Sequence, residues 1–168
     1  MATLEQYEFF KEQFLDEEKR YDSLTKKAEI FLSLLSLFFT GLIFGLKDLQ
    51  ELLAKMPNKT IAVSILAGAV PFFVLAVYCI IRSLRVQSFE AVMDLSTYYE
   101  ELGDEPMTNE DFFDKRIVDY VEATLTNEKV NDSRADQLRY SLVCISIGFI
   151  FIIGFVTYVL LSSIQSHG

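Results

Sequence analysis

Asn127, Asn131, Arg134 and Leu138 follow one another at intervals of four, three and four residues. If the segment is helical, that spacing sets all four on one face. Asn is a poor helix former, so two of them in register with an Arg signal a purposeful polar contact. Such a set can close a buried hydrogen-bond network that locks one helix against another. It can equally present amides and a guanidinium to a ligand or partner as a switch. Should Asn127 or Asn131 cap a helix instead, the shared face dissolves.

Covalent chemistry has no comparable set. The single histidine is His167, so no His-dependent dyad and no His/Cys metal cluster is expected. Cys79 and Cys144 fall inside apolar runs and read as buried small hydrophobes. Ser36 or Ser64 as a nucleophile would stand without a base. The expectation is a protein that is no enzyme and carries no cofactor or metal.

The elements that position these residues are unusually apolar. Ile30–Leu46, Thr60–Ile81 and Tyr140–Gln165 contain no Asp, Glu, Lys, Arg or His. A helix needs about 20 apolar residues to cross the hydrocarbon core. The first run is short, but Lys47 can lay its stem along it and lift the ammonium to the headgroups. The expected fold is all-α: an integral membrane protein with three transmembrane helices, a hairpin over 30–81 (spans 30–46 and 60–81) and a third span over 140–165. Nothing resembles a cleavable signal peptide, because charged residues of both signs precede the first run.

The remaining residues are strongly polar. Of 168 residues, 51% are hydrophobic and 23% charged, with net charge −9. Nine acids between Glu90 and Asp114 crowd one connection, a surface that repels phosphate backbones and argues against nucleic-acid binding. Lys19, Arg20, Lys26, Lys27, Arg82, Arg85, Lys129, Arg134 and Arg139 flank the spans on one side; Lys47, Lys55 and Lys59 flank them on the other. The positive-inside rule then puts residues 1–29 and 82–139 in the cytoplasm, and the 47–59 loop and the 166–168 tail outside.

Thr3 and Gln6 form a capping-box pattern opening a helix that runs unbroken into span 1. Its apolar stripe is Tyr7, Phe10, Phe14, Tyr21, Leu24, Ala28, Phe31, Leu35 and Phe38, interrupted once, at Glu17. Asp16 with Arg20 and Asp22 with Lys26 are expected to pair on the wet face. A stripe of this period wants a partner helix, either from residues 86–138 of the same chain or from a second subunit. The 82–139 connection is expected to continue span 2 as an amphipathic helix through Val86, Phe89, Val92, Met93 and Tyr99, with Ser96 a polar gap, to a break at Gly103 and Pro106. Thr108 then caps a second helix through Phe112, Phe113, Ile117, Val118 and Val121. A third starts near Asn131. Together these make a cytoplasmic helical bundle.

Inside the spans, Gly41 and Gly45, Ser64 and Gly68, and Cys144 and Gly148 lie four apart. Such strips let another backbone approach closely in lipid, within one subunit or between subunits. Pro71 in span 2 removes a backbone donor and predicts a kink, as a bend or a hinge. No charged group lies at membrane depth, which argues against pumps and ion-coupled transporters. Three spans cannot enclose a path in one subunit, so conduction would need an oligomer, with Ser33, Ser36 and Thr40 as a mildly polar lining.

A charged helix ending in Arg20-Tyr21-Asp-Ser-Leu-Thr-Lys-Lys27 leads into a two-span hairpin with a short external loop. Over residues 15–85 this resembles the SLATT-type small membrane effectors of bacterial conflict and antiphage systems, to which the chain adds a third span. The resemblance implies an oligomer that disrupts the inner membrane when a cytoplasmic trigger, a protein or a nucleotide signal, arrives. The functional expectation is therefore a homo-oligomeric inner-membrane effector in antiphage defence. The alternative is a non-conducting scaffold that recruits a soluble partner through its acidic bundle.

Overall fold

The computed structural model describes residues 3–54, 56, 58–85, 89–92 and 108–167. Among them the chain is all-α: α1 (Leu4–Phe44), α2 (Leu46–Ala54), α3 (Lys59–Leu84) and α4 (Asn109–His167). Three of these, α1, α3 and α4, are long and apolar enough to cross a membrane. They form two compact units: unit 1 is Met1–Lys26 with Arg85–Ala135, and unit 2 is Lys27–Leu84 with Asp136–Gly168.

Helices α1 and α4 each begin at a capping pair. In α1 the Thr3 N–H donates to Gln6 Oε1 at 3.0 Å and the Gln6 N–H to Thr3 Oγ1 at 3.3 Å. In α4 the Asp111 N–H donates to Thr108 Oγ1 at 3.2 Å, and that hydroxyl donates to Asp111 Oδ2 at 2.6 Å. Each pair satisfies donors that the first helical turn leaves without partners.

Three expectations for the connections need correction. Phe89–Val92 are not helical, because the backbone of Glu90 pairs with a side chain of α4 and not with its own turn. Val86, Met93, Ser96, Tyr99, Gly103 and Pro106 lie outside the described residues. No new helix starts near Asn131: α4 runs unbroken from Asn109 to His167, since neither Gly nor Pro interrupts it before Gly148. The expected 47–59 loop is largely α2, whose Leu46, Leu49, Leu52 and Leu53 recur at helical spacing. The Gly45 N–H still bonds to Gly41 O at 3.0 Å and the Leu49 N–H to Gly45 O at 2.9 Å, so the i→i−4 pattern passes through Gly45.

In unit 1 the α1 stripe packs on α4. Tyr7 meets Phe112, Phe113 and Tyr120 with ring centroids 6.5, 5.4 and 5.7 Å away, and Phe14 meets Tyr120 at 5.7 Å. Cross-helix hydrogen bonds join residues 112, 114 and 109 apart in sequence. That near-constant offset means that α1 and α4 run parallel here. Ion pairs on the wet face also differ from expectation: Asp16 pairs with Lys19 at 2.9 Å, while Arg20 turns to Glu17 and Asp132. Arg20 is drawn away because an acid on the neighbouring helix is within its reach.

Unit 2 is built on close contact between α3 and α4. A Cβ on Gly148 would sit 2.9 Å from Phe73 Cζ, and one on Gly68 would sit 2.7 Å from Phe151 Cε1. Each helix thus offers a glycine to a phenylalanine of the other, and the crossed order of the pairs makes the two antiparallel. Phe38, Phe39 and Phe149 gather round Phe73, which is 2% exposed. Outside this core the helices present Leu37, Ile43, Phe44, Val74, Ile150, Ile153 and Leu160 uncovered. That much exposed apolar surface is a liability in water and suits lipid.

Candidate functional site

The polar residues of α4 meet in unit 1, on the face turned to α1. Asn127, Asn131 and Arg134 are 0, 0 and 3% exposed. Buried polar groups cost free energy unless paired, and the partners here come from elements distant in sequence.

Asn131 Nδ2 donates to Glu17 O at 2.9 Å and to Glu17 Oε2 at 2.7 Å. Glu17 is the one polar position in the α1 stripe, so the gap in one helix faces an amide on the other. Asn131 Oδ1 is buried and finds no donor among the described residues. The guanidinium of Arg134 lies 3.9 Å from the centroid of the Tyr21 ring and donates to Thr25 Oγ1 at 2.8 Å and to Tyr21 O at 3.4 Å. The Thr25 hydroxyl in turn donates to Tyr21 O at 3.0 Å. Burial lowers the pKa of Arg134 from its ordinary value; the π-face and two acceptors keep the charge tolerable there. Outside the layer, Arg20 donates to Asp132, and that bond raises the Arg20 pKa.

Asn127 serves a third element. Its Oδ1 accepts the Glu90 N–H at 2.8 Å, and its Nδ2 donates to Glu90 O at 3.0 Å. Phe89, one residue earlier, packs its ring 5.9 Å from Phe14 and 5.1 Å from Tyr21. One helix face thus fixes α1 through Asn131 and Arg134 and a non-helical segment through Asn127. Leu138 is buried four residues on from Arg134.

The α1 stripe residues Tyr7, Phe10, Phe14 and Tyr21 are half-buried and Leu24 is buried. The span residues fare unevenly. Gly68, Cys144 and Gly148 face neighbouring side chains within the chain. Ser64 and Pro71 are exposed, and a Cβ on Gly41 would meet nothing within 4 Å. Gly41 and Gly45 instead line an open apolar groove with Leu37, Phe38, Leu42, Leu49 and Leu52. The Ser36 and Thr40 hydroxyls donate to carbonyls four residues earlier at 2.8 Å each, which settles their protons inside α1.

Three participants were missed from sequence: Glu17, Thr25 and the Glu90 backbone. Glu17 reads as a flaw in an apolar stripe, and its signal was the register it shares with Asn131. The main chain of Glu90 carries no sequence signal at all. Groups of three or more His, Cys, Asp or Glu able to hold a metal do not occur among the described residues. The chain matches no family model, and comparison with curated proteins and with solved structures returns no match.

Proposed function

We propose that this chain is a homo-oligomeric effector of the bacterial inner membrane that permeabilises it when a cytoplasmic signal or partner reaches unit 1, as in antiphage defence. The observation that carries this reading is the buried polar layer of Glu17, Asn131, Tyr21, Thr25 and Arg134. It lies on α1 and α4, the helices that also supply two of the three candidate spans. A polar layer in an aromatic core favours one register over others at a cost in stability. Groups that set a register are suited to hold a resting state that a signal can change.

Oligomerisation follows from size and surface. Three helices enclose no path through a bilayer, so a leak needs several copies. The open face at Gly41 leaves room for a second backbone, the kind of contact that holds helices together in lipid. In this reading the N-terminus and the 82–139 connection are cytoplasmic, and the C-terminus is external.

The test is expression of the full chain in a bacterial host with and without phage challenge, with membrane potential followed by a voltage-sensitive dye. Collapse of the potential on challenge, reduced by Asn131→Leu, supports the effector reading. Unchanged potential and growth, with a stable soluble partner captured in mild detergent, would establish the scaffold reading in its place.

A further inference from the structure

Phe89–Val92 are the non-helical residues that the structure seats on unit 1. What holds them is one side-chain amide paired with the backbone of one residue. The Glu90 N–H and C=O both bond to the one side-chain amide of Asn127, at 2.8 and 3.0 Å. A primary amide presents a donor and an acceptor side by side, complementary to the N–H and C=O that one extended residue turns to the same edge, so it does for Glu90 what a neighbouring strand would do. A helical segment could not be read this way, because its N–H and C=O groups are used internally.

The pairing is indifferent to the side chain at position 90, which is exposed. Selectivity comes from position 89. The Phe89 ring contacts Phe14 and Tyr21, seven residues apart on α1, and the Arg134 guanidinium over the Tyr21 ring helps to fix that wall. An aromatic anchor beside a backbone clamp is a complete way of recognising an extended peptide: main-chain bonds give affinity, and the slot for one side chain gives specificity.

We infer that Asn127, Phe14 and Tyr21 form a peptide-recognition seat, held in this structure by the chain's own Phe89–Val92. Its external partner is a protein segment that is extended and carries an aromatic residue immediately before the clamped one. That segment takes the seat by displacing Phe89. The inference uses unit 1 alone and does not depend on any leak through a membrane.

The tethered segment competes at an effective concentration of about 1 mM, so the seat is best tested with the tether's own anchor removed. In the full chain in detergent, Phe89→Ala with Glu90→Pro removes the ring and the Glu90 donor. A fluorescein-labelled peptide with the sequence of residues 85–94 is then titrated and followed by anisotropy. The expected result is saturable binding to this variant, at least ~10-fold weaker binding to the unaltered chain, and loss of binding when Asn127→Leu is added. No saturable binding to a released variant of normal helicity, or binding that Asn127→Leu leaves intact, overturns the seat.

Should the released variant lose helicity, Phe89→Trp decides. The chain has no tryptophan, so the indole is the sole reporter of the seat. A red shift of its emission on adding unlabelled peptide supports displacement. Emission that stays constant up to several millimolar peptide, severalfold above the tether's ~1 mM, overturns it.

Discussion

Asn131 donates one amide nitrogen to two oxygens of Glu17, the main-chain oxygen at 2.9 Å and the carboxylate at 2.7 Å. Glu17 is the polar position in the otherwise apolar and aromatic stripe of α1, Asn131 belongs to the polar face of α4, and the parallel packing of α1 and α4 sets them opposite. Asn131→Leu alone takes the donor from Glu17 Oε2 and leaves this part-buried carboxylate the longer 3.5 Å contact of Arg20 with Oε1, at a cost of about 1–3 kcal/mol. Replacing both partners with Leu removes the unmet polar groups together, so the double variant recovers most of that loss. Unfolding followed by circular dichroism in detergent checks both values. A double variant no more stable than Asn131→Leu would show that the layer supplies net stability as well as register.

The glycines of the spans separate into two classes. Gly148→Ala puts a methyl 2.9 Å from Phe73, a ring 2% exposed, and that overpacking costs about 1–3 kcal/mol. Phe73→Leu in the same chain restores most of the loss. A Cβ at Gly41 meets nothing within 4 Å and opens onto an apolar groove, so Gly41→Ile is accommodated within the subunit and leaves thermal stability near that of the unaltered chain. Under the proposed oligomer it lowers the subunit count in detergent, read by light scattering. A large stability loss from Gly41→Ile, with the subunit count unchanged, would remove Gly41 from the proposed interface.

Tyr120 gives unit 1 a dependence on alkaline pH. Burial, and then a hydrogen bond with Tyr7, raise the pKa of its phenol above the ordinary value of 10.0. The neutral phenol is therefore the form that the folded state prefers. Its contribution is complete below pH 10 and is lost as pH rises through the higher folded value. Unit 1 loosens there, and Tyr120→Phe removes that part of the dependence. Hydrogen exchange of α1 amides between pH 9 and 11, with correction for the intrinsic rate, is the measurement. Identical profiles for the two chains would contradict the role of Tyr120.

Much of this fold is legible in the sequence because lipid imposes a coarse rule: charge-free runs of span length. The capping boxes at Thr3 and Thr108 are equally local and mark the starts of α1 and α4. Residues 89–92 depart from the expected helix for a physical reason. Val86, Phe89 and Val92 have helical spacing, yet Asn127 offers the backbone of Glu90 a better-placed pair of hydrogen bonds than a next turn would. Propensity is a weak prior against such a tertiary contact. In the polar layer, the shared face of Asn127, Asn131 and Arg134 was visible from spacing, while their partners were not. Glu17, Thr25 and the Glu90 backbone are more than 35 residues away in sequence, and only the packed helices bring them near.

The account rests on α1, α3 and α4 crossing a bilayer with unit 1 in the cytoplasm, and labelling of intact cells tests this most directly. In a chain with Cys79→Ala and Cys144→Ala, single cysteines are placed at the exposed positions Asp48, Lys11 and Glu128. A membrane-impermeant maleimide is then added to intact and to permeabilised bacteria. The account predicts labelling at position 48 in intact cells, and at 11 and 128 only after permeabilisation. Labelling at 11 or 128 in intact cells, or recovery of the chain in the aqueous fraction without detergent, would contradict it.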